Sequence, residues 1–159
     1  MTKWIEIKTW ATRPAVHVNG GIRYTAAAGG WVEIGVGAHV ADSAHVGDYT
    51  HIGAGAHVAD SASLGTYVSV GAGAHVAAGA HVGNYTRVAD GAHVAAGAHV
   101  GRYAHVAAGA HVGEHAHIGY CARVGACAHV AAGAIVEAGD HIAAGAYIAS
   151  TPLPKENRP

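Results

Sequence analysis

Aliphatic residues recur at every sixth position from Ile34 to Ile148 without interruption. The series encloses 19 complete six-residue units. A fixed short period is typical of a solenoid, in which each unit buries its apolar face only against its neighbours. The interior must be built from small aliphatic side chains, because the chain has no Phe, one Met and 24 Gly.

The residue types within each unit predict which side chains face the core. With the aliphatic residue as position one, position five is Ala in 15 of the 19 units. Side chains of a strand alternate between its two faces, so positions five and one point inward and position six points outward. The pattern predicts a three-residue strand at positions five, six and one. Positions two to four then form a bend, where residues such as Gly53 and Gly55 supply the conformational freedom.

A second, longer period indicates how the units are arranged. Position four of every third unit carries a tyrosine and finally a cysteine, in the series Tyr49, Tyr67, Tyr85, Tyr103 and Cys121. Three units per coil, meaning one full turn of the chain, make a triangular prism with this series along one edge. The prism should be ~30 Å tall, since stacked strands lie ~4.8 Å apart.

Several units also resemble a known family. The segments IGAGAH (52–57), VGNYTR (82–87), VADGAH (88–93) and IGYCAR (118–123) are similar to the hexapeptide-repeat proteins. The resemblance covers residues 34–150 and implies a left-handed coil. The predicted fold is therefore all-β, a left-handed parallel β-helix with three six-residue units per coil and the shape of a triangular solenoid.

The chain divides into three predicted segments, with the β-helix at residues 32–150. Residues 1–31 include a predicted strand at Lys3–Trp10 and a predicted β-hairpin at 15–24, whose turn is Asn19-Gly20. The first interpretation of 1–31 is an N-terminal cap over the open edge of the first coil. The alternative is a docking segment for a protein partner. Residues 151–159 form a predicted Pro-rich tail.

Charge and cysteine content exclude some functions. The formal net charge is −1, and no concentrated basic patch is present, which argues against nucleic-acid binding. The chain has no apolar run long enough to span a membrane and no signal-peptide core, so we expect no membrane segment and synthesis in the cytoplasm. Cys121 and Cys127 hold the same position in successive units, hence different corners, and are predicted free thiols.

Thirteen of the 15 histidines occupy position six and point outward. The first histidine ladder, as we name the longest series on one face, comprises His39, His57, His75, His93, His111 and His129. One interpretation is that histidine is a polar residue able to stack on a flat strand face. The alternatives are that these rings capture a divalent metal adventitiously or form a dedicated metal site, because imidazole is the commonest transition-metal ligand.

The resemblance also raises the question of an active site. Many hexapeptide-repeat proteins are acyltransferases that use acetyl-CoA or acyl carrier protein, and the resemblance implies a homotrimer with clefts between subunits and a histidine as general base. In GEHAHIG (113–119), His115 is the nearest match to the histidine segment of the sugar acetyltransferases, although it stands one residue closer to the next aliphatic position. No inserted loop interrupts the units. The zinc-dependent carbonic anhydrases of this family are disfavoured, because no two histidines here have their five-residue spacing.

Two functions therefore remain open. The leading prediction is a non-catalytic structural or interaction protein without a cofactor, which self-associates as a homotrimer through flat uncharged faces and belongs to a larger assembly such as a virion. The uniformity of the units favours it, since catalysis usually requires a local break in a pattern. The alternative is a hexapeptide-repeat acyltransferase that uses acetyl-CoA or another acyl donor, with His115 as the catalytic base.

Overall fold

The chain folds into strands and bends. In a computed structural model, residues 15–18, 21–25 and 30–150 are described, and no helix occurs among them. The first three strands are β1 (Ala15–Val18), β2 (Gly21–Thr25) and β3 (Trp31–Ile34). The remaining strands are β4 (His39–Val40), β5 (His45–Val46), β6 (Thr50–Ile52), β7 (His57–Val58), β8 (Ser63–Leu64), β9 (Ser69–Val70), β10 (His75–Val76), β11 (His81–Val82), β12 (Arg87–Val88), β13 (His93–Val94), β14 (His99–Val100), β15 (His105–Val106), β16 (His111–Val112), β17 (His117–Ile118), β18 (Arg123–Val124), β19 (His129–Val130), β20 (Ile135–Val136), β21 (His141–Ile142) and β22 (Tyr147–Ile148).

Three sheets form the sides of the prism. The first face is the seven-stranded sheet β4-β7-β10-β13-β16-β19-β22, and the second face is the six-stranded sheet β5-β8-β11-β14-β17-β20. The third face belongs to the nine-stranded sheet β1-β2-β3-β6-β9-β12-β15-β18-β21. From β3 onward every pairing is parallel and joins equivalent residues of successive coils, as Val76 pairs with Val58 and Val94. The predicted left-handed parallel β-helix with three units per coil is confirmed.

The solenoid strands are shorter than the predicted three residues. Most contain only positions six and one, such as His57–Val58, and β6 alone among β4–β22 includes position five. The hydrogen bonds explain the difference. The N–H of Ala56, a position-five residue, donates to the carbonyl of Gly53 in its own bend (3.2 Å), although its carbonyl accepts from His39 in the preceding coil (2.8 Å). The N–H of position five therefore takes part in the bend, whereas its carbonyl takes part in the sheet.

The core contains the side chains of positions one and five, as predicted. Val70 and Ala74 are fully buried, and so are most of their equivalents along the solenoid. Thr50 and Thr86 are the buried polar side chains of the described residues, and their hydroxyls donate to the carbonyls of Gly65 (3.1 Å) and Gly101 (2.9 Å). These bonds satisfy both hydroxyls, so the two threonines fit the apolar interior without an unpaired group.

All the described bends except the one at Ser43 have a left-handed backbone conformation at position four. Glycine provides it at ten of the described corners, from Gly37 to Gly145. Other residues adopt a positive φ at the same position, which the sequence analysis did not foresee: Tyr49, Ser61, Tyr67, Tyr85, Tyr103, His115, Cys121 and Cys127. For a residue with a Cβ this conformation costs ~1–2 kcal/mol. Contacts between stacked coils must offset that cost.

The two ends of the solenoid differ. At the N-terminal end, β1 pairs antiparallel with β2 and β2 pairs antiparallel with β3, which confirms the strands of the predicted hairpin. At the other end, Ile142 and Ile148 are only partly buried, because no further coil among the described residues covers them. The predicted strand at 3–10, the turn at 19–20 and the tail at 151–159 lie outside the described residues. In the described part of the chain, no helix has the length and apolar character to cross a membrane.

Candidate functional site

The first histidine ladder is a continuous stack of rings. Its six imidazoles lie with neighbouring centroids 4.8 to 5.6 Å apart, and His129 stacks in turn on Tyr147 at 5.6 Å. Parallel rings direct their nitrogens in parallel, so two neighbours cannot both point a lone pair at one ion without rotating. Among residues 30–150, no group of three or more His, Cys, Asp or Glu side chains is arranged to hold a metal ion. Metal capture by this ladder stays a prediction.

Stacking alters the proton affinity of the inner rings. Burial, followed by the neighbouring rings of His75 and His39, lowers the pKa of His57 below its ordinary value of 6.5. Burial, followed by His75 and His111, lowers the pKa of His93 in the same way. Both effects disfavour the charged ring, since a charge loses hydration on burial and repels a neighbouring charge. Stacking therefore favours the neutral form of His57 and His93 near neutral pH.

His115 stands at the corner between the first and second faces. It lies in the bend that joins β16 to β17, is exposed, and has a φ of 54°. A Cβ atom at Gly97, one coil earlier, would lie 2.5 Å from Nδ1 of His115, so the imidazole occupies the space that a side chain at 97 would fill. The corresponding residues in the neighbouring coils are Gly79, Gly97 and Gly133. His115 thus interrupts a run of glycines at this corner, which begins after Ser43 and Ser61 in the first two coils.

A second set of histidines lies next to this corner. The rings of His81, His99 and His117 stack on the second face, with centroids 4.9 and 5.3 Å apart. Burial, followed by His81, His117 and then His115, lowers the pKa of His99. The corner imidazole of His115 is therefore close enough to His99 to contribute to its lowered pKa. The structure therefore brings the sequence-predicted His115 beside the second-face stack.

The edge between the second and third faces carries the tyrosine ladder, defined as Tyr49, Tyr67, Tyr85 and Tyr103. Its rings are nearly parallel, with centroids 4.6 to 5.0 Å apart. The ladder ends at Tyr120, whose ring meets Tyr103 edge-on at 5.7 Å. A hydrogen bond with Cys121 is the main cause that raises the pKa of Tyr120. About half of the Tyr85 side chain is exposed, so this edge presents a continuous aromatic surface to solvent.

The third face holds two outward-facing arginines, Arg87 and Arg123. Its outward residues are Glu33, His51, Ser69, Arg87, His105, Arg123 and His141. Glu33 and His51 approach each other at 3.4 Å between Oε1 and Nδ1. Farther along, an open groove of about 310 Å³ adjoins this face and is lined by Ser69, Gly71, Arg87, Val88, Ala89, Asp90, His105 and Ala108. The spacing of Arg87 and Arg123, which equals two coils, was the available sequence signal.

Known structures share the fold. No protein-family model and no curated protein matches the chain. The structure of PerB from Caulobacter crescentus in complex with CoA and GDP-perosamine is 24% identical, with a TM-score of 0.50, and the match covers 74% of this chain and 51% of PerB. The acetyltransferase domain of PglB from Neisseria gonorrhoeae is 25% identical with a TM-score of 0.36, covering 72% and 50% of the two chains. The UDP-N-acetylglucosamine acyltransferase of Francisella novicida is 15% identical with a TM-score of 0.42, covering 72% and 54%.

These comparisons correct the leading functional prediction. The prediction of a non-catalytic structural or interaction protein, as part of a virion or similar assembly, was wrong: the structure of PerB, which shares the fold, contains CoA and GDP-perosamine, and this favours the alternative. Uniform repeats were a poor guide, because a regular core does not restrict what the outward positions do. The chain spans about half the length of these proteins. The likeness to PerB confirms the resemblance at the level of the fold, and the chain has the left-handed β-helix of the hexapeptide-repeat proteins.

Proposed function

We propose that this chain is an acyltransferase of the hexapeptide-repeat type, with acetyl-CoA as its acyl donor. The observation that carries the proposal is the likeness to PerB, a protein solved with CoA bound, over 74% of this chain. The comparisons supply no acceptor for this chain. A sugar amine or hydroxyl is the acceptor class that we propose, because the PerB structure also contains GDP-perosamine.

His115 is the proposed general base. Its exposed position at a corner, where neighbouring coils have glycine, supports the assignment because a reactive group must be reachable and must differ from the repeat. A neutral imidazole can accept a proton near neutral pH. In the proposed reaction the acceptor nitrogen or oxygen attacks the thioester carbonyl and gives its proton to His115. The C–S bond breaks, and the proton passes to the departing CoA thiolate.

A homotrimer is part of this proposal. The resemblance implies that the active sites lie in clefts between subunits, and the corner at His115 lies between two faces whose outward residues are mostly histidines. Neutral imidazoles are cheaper to remove from water than lysine or glutamate side chains, which supports contact between such faces. Sedimentation velocity at several concentrations tests this part separately. A monomer at all concentrations would refute the inter-subunit site.

The test of the function compares two histidine variants. His115→Gly removes the imidazole and restores the residue found in the neighbouring coils, so the backbone is not strained. His45→Ser is the matched control, because His45 is an exposed outward histidine of the second face whose strand pairs with Ser63 rather than with another histidine. Acetyl-CoA binding is measured by calorimetry, and thiol release is measured with acetyl-CoA and GDP-perosamine as probes.

We expect the parent chain and both variants to bind acetyl-CoA, and His115→Gly alone to lose ~100-fold or more in the rate of thiol release, the usual contribution of a general base. If His115→Gly binds acetyl-CoA and releases thiol as fast as the parent chain, the role of His115 is refuted while the function stands. An absence of binding by the parent chain up to millimolar acetyl-CoA would refute the function.

A further inference from the structure

Two arginines and a histidine form a cationic strip on the third face. Arg87, His105 and Arg123 occupy successive strands β12, β15 and β18 in register, so their side chains stand one above another. Adjacent strands lie ~4.8 Å apart, which puts the bases of the two arginine side chains ~9.6 Å apart with His105 between them. Between residues 34 and 150 the sequence has only one further arginine, Arg102. We name Arg87, His105 and Arg123 the arginine strip.

The strip has no carboxylate partner in the described part of the chain. Neither guanidinium has an ion pair there, although Glu33 and His51 form one farther along the same face. The nearest acidic residue in the groove lining is Asp90, and its Oδ1 accepts a hydrogen bond from the N–H of Ala72 at 2.9 Å. The two exposed guanidinium groups therefore have no ion-pair partner among the described residues, and the Asp90 carboxylate is the acidic group in the groove lining.

The positive charges of the two arginines act on the imidazole of His105, which lies between them. Burial is the largest cause that lowers the pKa of His105, and the charges of Arg87 and then Arg123 lower it further. Both guanidinium groups are therefore close enough to His105 to disfavour a third positive charge. An anion that neutralised them would remove this disadvantage and allow His105 to accept a proton.

The groove beside the strip provides room for a ligand. It is open, has a volume of about 310 Å³, and its lining combines Arg87 and His105 with small residues such as Gly71 and Ala108. Ser69 adds a hydroxyl at the end toward the N-terminus. The small side chains let a ligand approach the backbone, while Arg87 and His105 supply donors within the groove and Arg123 lies one coil beyond it.

We propose that the arginine strip binds the phosphate groups of a diphosphate-bearing ligand lying along the groove. Guanidinium groups bind phosphate oxygens through paired, charge-assisted hydrogen bonds, and two of them two coils apart can each hold one end of a diphosphate. The inference rests on the proposed function for its choice of ligand: the diphosphate belongs either to the CoA donor or to a nucleotide-linked acceptor.

Binding at this strip depends on pH through His105. Arg87 and Ser69 face the ring from the preceding coils, Arg123 and His141 from the following ones, and Asp90 from the adjoining corner. A bound diphosphate raises the pKa of His105, so the complex takes up a proton and affinity increases as the pH falls from 8 to 6. The imidazolium then donates a hydrogen bond to the ligand between the two arginines.

The first experiment uses inorganic pyrophosphate as the probe, with calorimetry on the full chain. Arg87→Ser/Arg123→Ser removes both guanidinium groups and introduces the residue that already occupies the same face at Ser69. The control Arg102→Ser/Arg23→Ser makes the same change of net charge outside the strip. We expect the strip variant to bind pyrophosphate at least ~10-fold more weakly than the parent, since the loss of a hydrogen bond between charged groups weakens binding by about this factor. The control should bind pyrophosphate as the parent does.

Equal affinities of the parent and the strip variant, with circular dichroism confirming that both are folded, would overturn the inference. So would a parent chain that binds no pyrophosphate up to 10 mM, a concentration on the order of the weakest affinities that calorimetry can follow. As a second readout, the ring protons of His105 are followed by NMR through a pH titration. We expect pyrophosphate to shift the titration midpoint upward, and an unchanged midpoint would refute the coupling to His105.

Two further titrations distinguish the source of the diphosphate and separate this inference from the function. CoA and UDP are each titrated into the parent and the strip variant, and the ligand whose affinity falls in the variant identifies the occupant. Acetyl-CoA binding that is equal in the parent and the strip variant would leave the function standing and refute the strip for the donor. Pyrophosphate binding through the strip in a chain that does not bind acetyl-CoA would support the strip and refute the function.

Discussion

The core of the solenoid allows a test in which one substitution is made on opposite sides of the same face. Ile118 in β17 is fully buried, whereas Ile135 in the adjacent strand β20 is 63% exposed. Ile118→Ala removes three carbon atoms from the interior. At about 0.8 kcal/mol for each buried carbon the transfer term is about 2.4 kcal/mol. A cavity term raises the expected loss to about 3–4 kcal/mol, within the range for buried aliphatic residues replaced by alanine.

Urea denaturation followed by far-ultraviolet circular dichroism measures this loss. For a denaturant dependence of about 2 kcal/mol per molar, the midpoint for Ile118→Ala should fall by roughly 1.5–2 M. Ile135→Ala is the matched control, and its free energy of unfolding should change by no more than about 0.5 kcal/mol. Equal losses in the two variants would refute the assignment of inward and outward positions. A midpoint for Ile118→Ala within about 0.3 M of the parent would refute the magnitude.

Two other predictions concern protonation and the close approach of coils. The pKa values of four histidines are lowered in the folded chain: His57, His93, His99 and His105. The unfolding temperature should therefore fall as the pH drops below about 6.5, because the unfolded chain then binds more protons than the folded one. A constant unfolding temperature between pH 7.5 and 5 would contradict this. Gly113→Ala should destabilise by about 3 kcal/mol or more, because its Cβ would lie 2.5 Å from the backbone nitrogen of Ala132. Gly133→Ala meets nothing within 4 Å and should lose only the ~1–2 kcal/mol of its positive φ. Equal losses by urea denaturation would argue against the close approach.

The fold was predictable because a single short period determines both the strands and their stacking. The six-residue spacing of aliphatic residues identified the inward positions, and the recurrence of Tyr49, Tyr67, Tyr85 and Tyr103 in every third unit identified the coil. Neither spacing revealed that these tyrosines adopt a positive φ. The structure explains this conformation, because the tyrosine rings stack along the edge and their contacts help to offset the cost of the positive φ.

The candidate site was predictable only in part. The departure of His115 from a glycine column is visible in the sequence, but the closeness of its ring to the second-face stack depends on side-chain directions. The separation of Arg87 and Arg123 by two coils is visible in the sequence, but their lack of a carboxylate partner among the described residues is a property of the folded chain. The functional prediction was wrong because regularity describes how the core is built, whereas binding depends on outward residues that the core does not constrain.

The in-register pairing of the sheets has a consequence for how such a chain can change in length. Every strand from β6 to β19 meets a partner one coil before it and another one coil after it, at the same register. Deletion or duplication of one whole coil within this region therefore joins equivalent backbone positions and preserves the type of every contact. The length of the solenoid can therefore change in divisions of ~4.8 Å, the height of one coil. Insertion of one coil between Ile52 and Val58 would move the N-terminal hairpin one division away from the arginine strip, without altering the strip or the corner at His115.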